Sequence, residues 1–159
     1  MIKMLAKAAL PVALGLALAG NADAFVVNKT FAGNYWEGPE KDGRGVILDI
    51  APDGSQEFGN TAIVQWFTYR NGEPIWLLGV GSINQNTNVA DLDIFEFVGG
   101  DFGDAFSVDD RTREDWGTGT LTFNSCNEIV LDATGTDGSA TQVLSPVTQG
   151  DCVVEEKFE

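Results

Sequence analysis

Short stretches of alternating apolar and polar residues, bounded by turn-forming residues, constrain this chain more than any other feature. Apolar residues alternate with aspartate over residues 90–94 and with threonine over residues 118–123. A side-chain period of two is typical of a half-buried β-strand. No long segment after residue 24 has the period of an amphipathic helix. The chain is therefore predicted to be all-β.

The alternating runs predict about eight strands joined by short turns. Short connections favour antiparallel pairing of neighbours, so we predict a single antiparallel meander that closes into a small barrel. A two-sheet β-sandwich is the alternative. Residues 98–117 are predicted to form one long irregular loop over a barrel mouth. The predicted strands are 25–31, 46–50, 61–69, 75–80, 90–94, 118–123, 128–133 and 139–144.

The N-terminus is typical of a secretory signal peptide. Lys3 and Lys7 precede a short apolar run at residues 8–20, and Ala-Asp-Ala at residues 22–24 matches a small-residue cleavage site. The apolar run is shorter than the about 20 residues that a membrane-spanning helix needs. We predict a signal peptide over residues 1–24 and a soluble periplasmic or secreted protein with no membrane insertion after cleavage.

Residues 25–159 are predicted to form one domain, because a chain of this size builds a single core. The formal net charge of the full chain is −15. Such a charge repels phosphate backbones and anionic lipid surfaces, so we expect no nucleic-acid partner. Solubility is the simplest interpretation of this acidity, and a basic partner or cations are the alternatives.

The chain contains two cysteines, Cys126 and Cys152. An exported protein meets an oxidising compartment, so we predict a disulfide between them. A redox-active pair is disfavoured because the two residues lack C-x-x-C spacing.

Two segments resemble a group of functionally uncharacterised secreted bacterial proteins. They are GNYWEGPEKDGRGVILDI from Gly33 and VQWFTYRNGEPIWLLGVG from Val64. The resemblance implies an exported small β-domain and assigns no catalytic residue. The strand arrangement is also similar in architecture to avidin-like and lipocalin-like barrels. The residues that carry the group's pattern are Gly33, Tyr35, Trp36, Pro39, Gly43, Gly45, Trp66, Tyr69, Gly72, Pro74 and Trp76.

The residue inventory excludes most catalytic mechanisms. The chain has no histidine, which removes Ser-His-Asp and Cys-His catalysis. It also lacks a glycine-rich phosphate loop. We expect no cofactor, no resident metal and no enzymatic activity. A carboxylate-dependent glycan hydrolase is a less favoured alternative, with Trp116 stacking on a sugar, and calcium binding by the same acidic loop is another. The loop carboxylates are Asp101, Asp104, Asp109, Asp110, Glu114 and Asp115.

The stretch from Gln65 to Gly81 predicts a hairpin with both sides apolar. A two-residue Asn71-Gly72 turn would place Phe67 opposite Trp76 and Arg70 opposite Glu73. One side of the hairpin then fills the barrel. The other must meet the N-terminal segment, another subunit or a partner.

These features together predict an exported non-enzymatic binding module with an aromatic barrel mouth. The ligand would be a small molecule or a protein, and a homo-oligomer is an open alternative. A periplasmic inhibitor or structural accessory protein that acts through a loop or terminus is the second hypothesis. Core packing is the competing interpretation of the aromatics. The predicted ligand-binding residues are Tyr35, Trp36, Tyr69, Trp76 and Trp116.

Overall fold

A computed structural model describes residues 25–52, 61–148 and 152–156 of the chain. The predicted signal peptide and its cleavage site lie outside the described residues, as do residues 53–60. The described part is all-β, with four short 3-10 turns and no α-helix. In the described ranges we find no helix long and apolar enough to cross a bilayer.

Eight antiparallel strands form a closed barrel, which confirms the predicted fold class. Each strand from β2 to β8 pairs with the next one in the chain, and β9 pairs back with β2. The short strands β1 and β10 pair with each other outside the barrel. The strands are β1 (Phe25–Val26), β2 (Gly33–Trp36), β3 (Gly45–Ala51), β4 (Thr61–Arg70), β5 (Glu73–Asn84), β6 (Val89–Gly99), β7 (Arg111–Ser125), β8 (Glu128–Gly135), β9 (Gly138–Pro146) and β10 (Glu155–Glu156).

The predicted hairpin register between β4 and β5 is confirmed. Arg70 lies opposite Glu73, and Phe67 lies opposite Trp76. Asn71 and Gly72 both adopt positive φ, 52° and 86°. A two-residue turn of this kind matches the right-handed twist of the flanking strands, and asparagine followed by glycine tolerates it best.

One strand prediction was wrong and one loop prediction was too long, each for a physical reason. Residues 25–31 form a two-residue strand and a 3-10 turn, Lys29–Phe31, because their apolar side chains plug a barrel end instead of joining the sheet. Residues 98–117 form an irregular loop only from 100 to 110; β6 and β7 include the rest. The first five residues of β7 are all exposed, so their sequence lacks the alternation of apolar and polar residues that predicts a strand. Strand β2 was not predicted.

The barrel interior is filled by side chains from every strand. Val64, Leu77 and Leu121 are almost completely buried there. On β5, a Cβ atom on Gly81 would lie 1.7 Å from the carbonyl oxygen of Asp91. Only glycine allows the two backbones to approach this closely, so Gly81 is required for the close pairing of β5 with β6 at this point.

The N-terminal segment closes one end of the barrel, which we call the plugged end. Phe31 is fully buried, stacks on Phe25 at 5.5 Å and meets Phe123 edge to face at 5.7 Å. The Gln85 side chain accepts from Val27 N at 2.9 Å and donates to Val27 O at 2.8 Å. This N-terminal plug is therefore held by the burial of its apolar side chains and by hydrogen bonds to the backbone N–H and C=O of Val27.

The predicted disulfide is confirmed. Cys126, in the β7–β8 turn, bonds to Cys152 with a Cα–Cα distance of 5.7 Å. Cys152 lies just before β10, which pairs with β1 at the start of the plug. The bridge therefore ties the C-terminal segment to the barrel and, through β10, holds the N-terminal plug.

Candidate functional site

The structure brings two of the five predicted ligand-binding aromatic residues together: Tyr69 and Trp116 line one recess at the open end of the barrel, whereas Tyr35, Trp36 and Trp76 do not line it. Tyr35 is buried, and its hydroxyl donates to Phe31 O at 2.7 Å. Burial raises the pKa of the Tyr35 phenol. Trp36 is half-buried at the end of β2, and Trp116 is buried inside the barrel. Tyr69 and Trp76 are 48% and 46% exposed.

Tyr69 and Trp76 belong to the outer wall of the barrel because of their parity along β4 and β5. Their neighbours Trp66 and Leu77 point inward and are buried. Successive side chains on a strand point to opposite sides, so Phe67 and Trp76 point outward together. Both sides of the hairpin are apolar, as predicted, and the N-terminal segment does not cover the outward side.

The outward side continues across β6 and forms the surface that we call the outer aromatic face. Phe67 is 39% exposed beside Trp76. Trp76 stacks on Phe97 of β6 with ring centroids 5.8 Å apart and an interplanar angle of 22°. We define the face by its six apolar and two basic members. They are Phe67, Tyr69, Trp76, Leu78, Phe95, Phe97, Arg111 and Arg113.

Two arginines of β7 lie on the aromatic rings of this face. Arg111 stands 4.8 Å from the centroid of Phe97, and Arg113 stands 4.5 Å from that of Phe95. Neither arginine takes part in the three ion pairs found between described residues. Their charges are therefore attracted to ring faces and stay available for an external carboxylate.

The opposite end of the barrel, which we call the mouth, lies between the β4–β5 and β8–β9 turns. Arg70 donates to both oxygens of Glu96 at 2.9 and 2.8 Å, and to both oxygens of Asp137 at 2.7 and 2.5 Å. Asp137 also accepts from Trp116 Nε1 at 2.6 Å. One guanidinium thus links β4, β6 and the β8–β9 turn across the mouth.

A recess of about 130 Å³ lies beside this network. Its inner wall includes Trp66 and Trp116, which meet edge to face with centroids 5.5 Å apart. Asp137 and Ser139 line its outer part and are exposed, so the recess opens to solvent at the mouth. The Trp66 Nε1 atom is buried without a hydrogen-bond partner among the described residues.

A second buried polar group joins β2, β3 and β9. Glu37 accepts from Arg44 Nη2 at 2.7 Å and from Gln142 Nε2 at 2.8 Å. Gln142 is completely buried, and among the described residues neither its Oε1 atom nor Arg44 Nε has a hydrogen-bond partner. The Glu37 carboxylate, just after β2, therefore takes hydrogen bonds from Arg44, just before β3, and from Gln142 of β9, and the cluster ties these segments together.

A polar groove of about 560 Å³ runs over the outside of β6 to β9. Asp91, Asp93 and Asp132 line it together with threonine side chains, and Thr141 Oγ1 donates to Asp132 at 2.5 Å. No aromatic side chain lines the groove to stack on a sugar. Trp116, the residue proposed for that role, lies inside the barrel. Over the described ranges, no group of three or more histidine, cysteine or acidic residues could hold a metal ion.

The loop of residues 100–110 projects from the β6–β7 hairpin and does not line the recess. Gly100 N donates to Asp110 O at 3.0 Å and closes its base. Phe102 is fully exposed, and Phe106 and Val108 are also exposed. The loop therefore presents apolar side chains to solvent and contributes no side chain to the recess.

Sequence reasoning missed most residues of the outer aromatic face and of the recess at the mouth. Phe95 and Phe97 carried a usable signal, because they continue the alternation of residues 90–94 in outward-facing positions. Arg70 and Asp137 carried none, since they are 67 residues apart in the chain. A scan against protein-family models found no match, and searches of curated proteins and of solved structures found none either. The resemblance to secreted bacterial β-domain proteins therefore stays a prediction.

The Asp137 carboxylate should make the stability of this protein depend on pH in the acid range. Hydrogen bonds from Arg70 and then Trp116 hold its pKa below the ordinary value of 3.8. Its contribution is therefore complete above the unfolded-state pKa and is lost as the pH falls through the folded-state pKa. We expect Asp137→Asn to lower the melting temperature at neutral pH and the gap from wild type to close towards pH 2.

Thermal unfolding between about pH 7 and pH 2 checks this expectation. Asp104→Asn is the matched control, because it removes the same charge from an exposed loop position. A gap that stays constant over this pH range for Asp137→Asn would contradict the role of the carboxylate.

Proposed function

We propose that this protein is an exported, non-enzymatic binding module that recognises another protein through its outer aromatic face. The observation that carries the proposal is the exposure of Phe67, Tyr69 and Trp76 on one wall beside two arginines. Trp, Tyr and Arg are the residues that contribute most binding energy in protein interfaces. A wall of this composition on a soluble domain marks an interaction surface.

The packing of the barrel favours a protein partner over a large internal ligand. Side chains from all eight strands fill the interior, and the recess at the mouth holds about 130 Å³. Pockets for drug-sized molecules are typically about 300 Å³ or larger. The predicted mouth site for a small molecule thus has less support than the outer wall.

Charge suggests which partner chemistry fits the face. Arg111 and Arg113 have no carboxylate partner among the described residues, whereas Arg44 and Arg70 are paired. We therefore propose a partner surface that presents carboxylates next to apolar side chains. Binding should weaken as salt rises, because exposed charge pairs are screened over about 8 to 10 Å at physiological ionic strength.

Export is part of the proposal and rests on the predicted signal peptide. The Cys126–Cys152 disulfide supports it, because disulfides persist mainly in oxidising compartments. A periplasmic or extracellular protein partner follows from this location. The formal charge of −15 argues against nucleic acid as a partner.

A second candidate function is an inhibitor or accessory protein that acts through the loop of residues 100–110. Phe102 is fully exposed at this protruding loop, which is an unusual position for a phenylalanine without a binding role. Arg111 follows the loop directly, so the loop and the outer aromatic face adjoin. A partner that covers the face would also meet the loop.

Trp76→Ala tests the proposed face. We expect the free energy of unfolding to fall by only about 1 to 2 kcal/mol, because Trp76 is 46% exposed and its main described ring contact is the stack on Phe97. Partner affinity should fall by a factor of about 30 or more, the effect of losing a hot-spot aromatic. Chemical denaturation measures the change in stability. Capture of partners from the producing cell's periplasm or medium, followed by titration of the captured protein, measures the affinity.

Val143→Ala is the matched control, since Val143 is 55% exposed on β9, across the barrel from β5. Phe102→Ala separates the loop hypothesis from the face hypothesis in the same assay. Sedimentation of the purified chain identifies a second copy as the occupant of the face. Equal affinity of the Trp76→Ala and Val143→Ala variants for the partner would rule out the face.

A further inference from the structure

We propose that the occupant of the outer aromatic face is a second copy of this chain, which docks its loop of residues 100–110 on the face in a two-fold symmetric dimer. This inference rests on the proposed function, because it names the partner of the same face. In a two-fold dimer each copy contributes both surfaces, so the contact between face and loop is made twice.

The loop presents the chemistry that the outer aromatic face is proposed to recognise, which is carboxylates next to apolar side chains. Phe102 is 100% exposed, and Asp101 and Asp104 lie within two positions of it. Phe106 is 55% exposed further along the same loop. None of the three ion pairs between described residues includes a carboxylate of this loop. The chain therefore contains a ligand of the kind that fits its own face.

The two arginines of the face supply the opposite charge. Arg111 stands 4.8 Å from the centroid of Phe97, and Arg113 stands 4.5 Å from that of Phe95. Stacking on a ring holds a guanidinium in place, while its N–H groups point outward in the ring's plane direction and can still donate to a carboxylate. An aspartate of an incoming loop can therefore accept from either arginine while Phe102 of that loop packs on the aromatic rings.

The loop does not cover the face of its own copy. Gly100 N donates to Asp110 O at 3.0 Å, so the base of the loop is closed where it joins the face. Phe102, Tyr69 and Trp76 all remain exposed. A soluble monomer rarely leaves adjoining apolar surfaces of this kind in solvent. A two-fold axis beside the loop would cover both surfaces at once, because each loop then lies on the face of the other copy.

The overall charge of the chain opposes self-association, so the pairing must be local. Two copies of formal net charge −15 repel each other, whereas the charged members of the face are both arginines. Rising salt screens this repulsion as well as the attraction between face and loop. A dimer should therefore respond less to salt than a complex with a different protein would. Exchanging the charges of the two surfaces is a sharper test.

The charge exchange uses two variants of the full exported chain. One carries Arg111→Glu and Arg113→Glu, and the other carries Asp101→Lys and Asp104→Lys. Each variant alone brings like charges together in both contacts, so we expect its dimer dissociation constant to rise by about 100-fold or more. A mixture of the two pairs Glu with Lys in one contact and Asp with Arg in the other, which should restore a dimer. Sedimentation over a concentration series measures all of these dissociation constants.

Two further variants serve as controls. Glu128→Lys combined with Asp132→Lys changes the net charge by the same amount as the loop variant, at exposed positions of β8, which lies opposite β4 in the closed barrel. This variant should not weaken the dimer. Trp76→Ala should weaken it by a factor of about 30 or more, as expected for a hot-spot aromatic. Restoration by mixing also excludes misfolding as the cause of the single-variant losses.

A dimer that is lost in each charge variant and restored in their mixture supports the inference. A wild-type chain that stays monomeric up to about 0.5 mM overturns it, and so does a dimer that neither charge variant weakens. Loss in both variants without restoration overturns the pairing of loop with face. The proposed function is judged separately, by the effect of Trp76→Ala on affinity for a captured partner of different sequence.

Discussion

Replacing Phe31 with alanine is expected to lower the free energy of unfolding by about 3 to 5 kcal/mol, the usual cost of truncating a buried phenylalanine. Phe31 is fully buried at the plugged end, between Phe25 and Phe123. Its removal leaves a cavity that β1 and the 3-10 turn cannot fill, because their backbone is held by hydrogen bonds and by β10. Chemical denaturation with a two-state fit measures the change.

Tyr69→Ala is the control for this experiment, because it removes an aromatic ring that is 48% exposed on the outer wall. We expect a loss below about 1 kcal/mol for that variant, which separates core from surface aromatics. A comparable loss in both variants would mean that the outer wall belongs to the core. A loss below about 1 kcal/mol for Phe31→Ala would mean that the plug unfolds separately from the barrel.

Removing the disulfide is the second large effect that we expect. Serine at both positions 126 and 152 should lower the free energy of unfolding by about 3 to 4 kcal/mol in the chain-entropy model for a loop of this length. The bridge spans 26 positions and holds the segment that leads to β10. Losing it frees β10, and with it the pairing that anchors β1.

Because the disulfide holds the N-terminal plug, we expect the effects of Phe31→Ala and of disulfide removal on the free energy of unfolding to be coupled. Phe31 and the bridge both hold the plug in place, so their combined effect should be smaller than the sum of the single effects. Equilibrium denaturation of the three variants gives the coupling energy, and thiol alkylation of unfolded, unreduced wild type checks that no free thiol is present. Strict additivity would show that the bridge stabilises the barrel without acting through the plug.

These expectations also show why the aromatic residues were hard to place from sequence. Tyr35 and Tyr69 come from similar aromatic stretches near turns, yet Tyr35 is buried and hydrogen-bonded to Phe31 O, while Tyr69 lies outside. The alternation along a strand separates residues into two sets. It does not state which set faces inward when both sets are apolar.

Local patterns were sufficient for several features of the molecule. Seven of the eight barrel strands, β3 to β9, followed from alternation. The register of β4 and β5 followed from the Asn71-Gly72 turn, and the disulfide followed from two cysteines in a chain predicted to be exported. The strands and the register depend on interactions between neighbours in the chain. The disulfide was predictable because two cysteines allow only one pairing within the chain. Such features are encoded within a few residues.

Tertiary structure alone decided the two sites. Barrel closure turned Trp66 inward and Trp76 outward, and it brought Arg70 to Asp137 across 67 residues of sequence. The N-terminal segment plugged the opposite end and left the outer wall uncovered. The physical reason is that burial depends on which surfaces meet after the sheet closes, and a one-dimensional pattern of apolar residues contains no information about those long-range contacts.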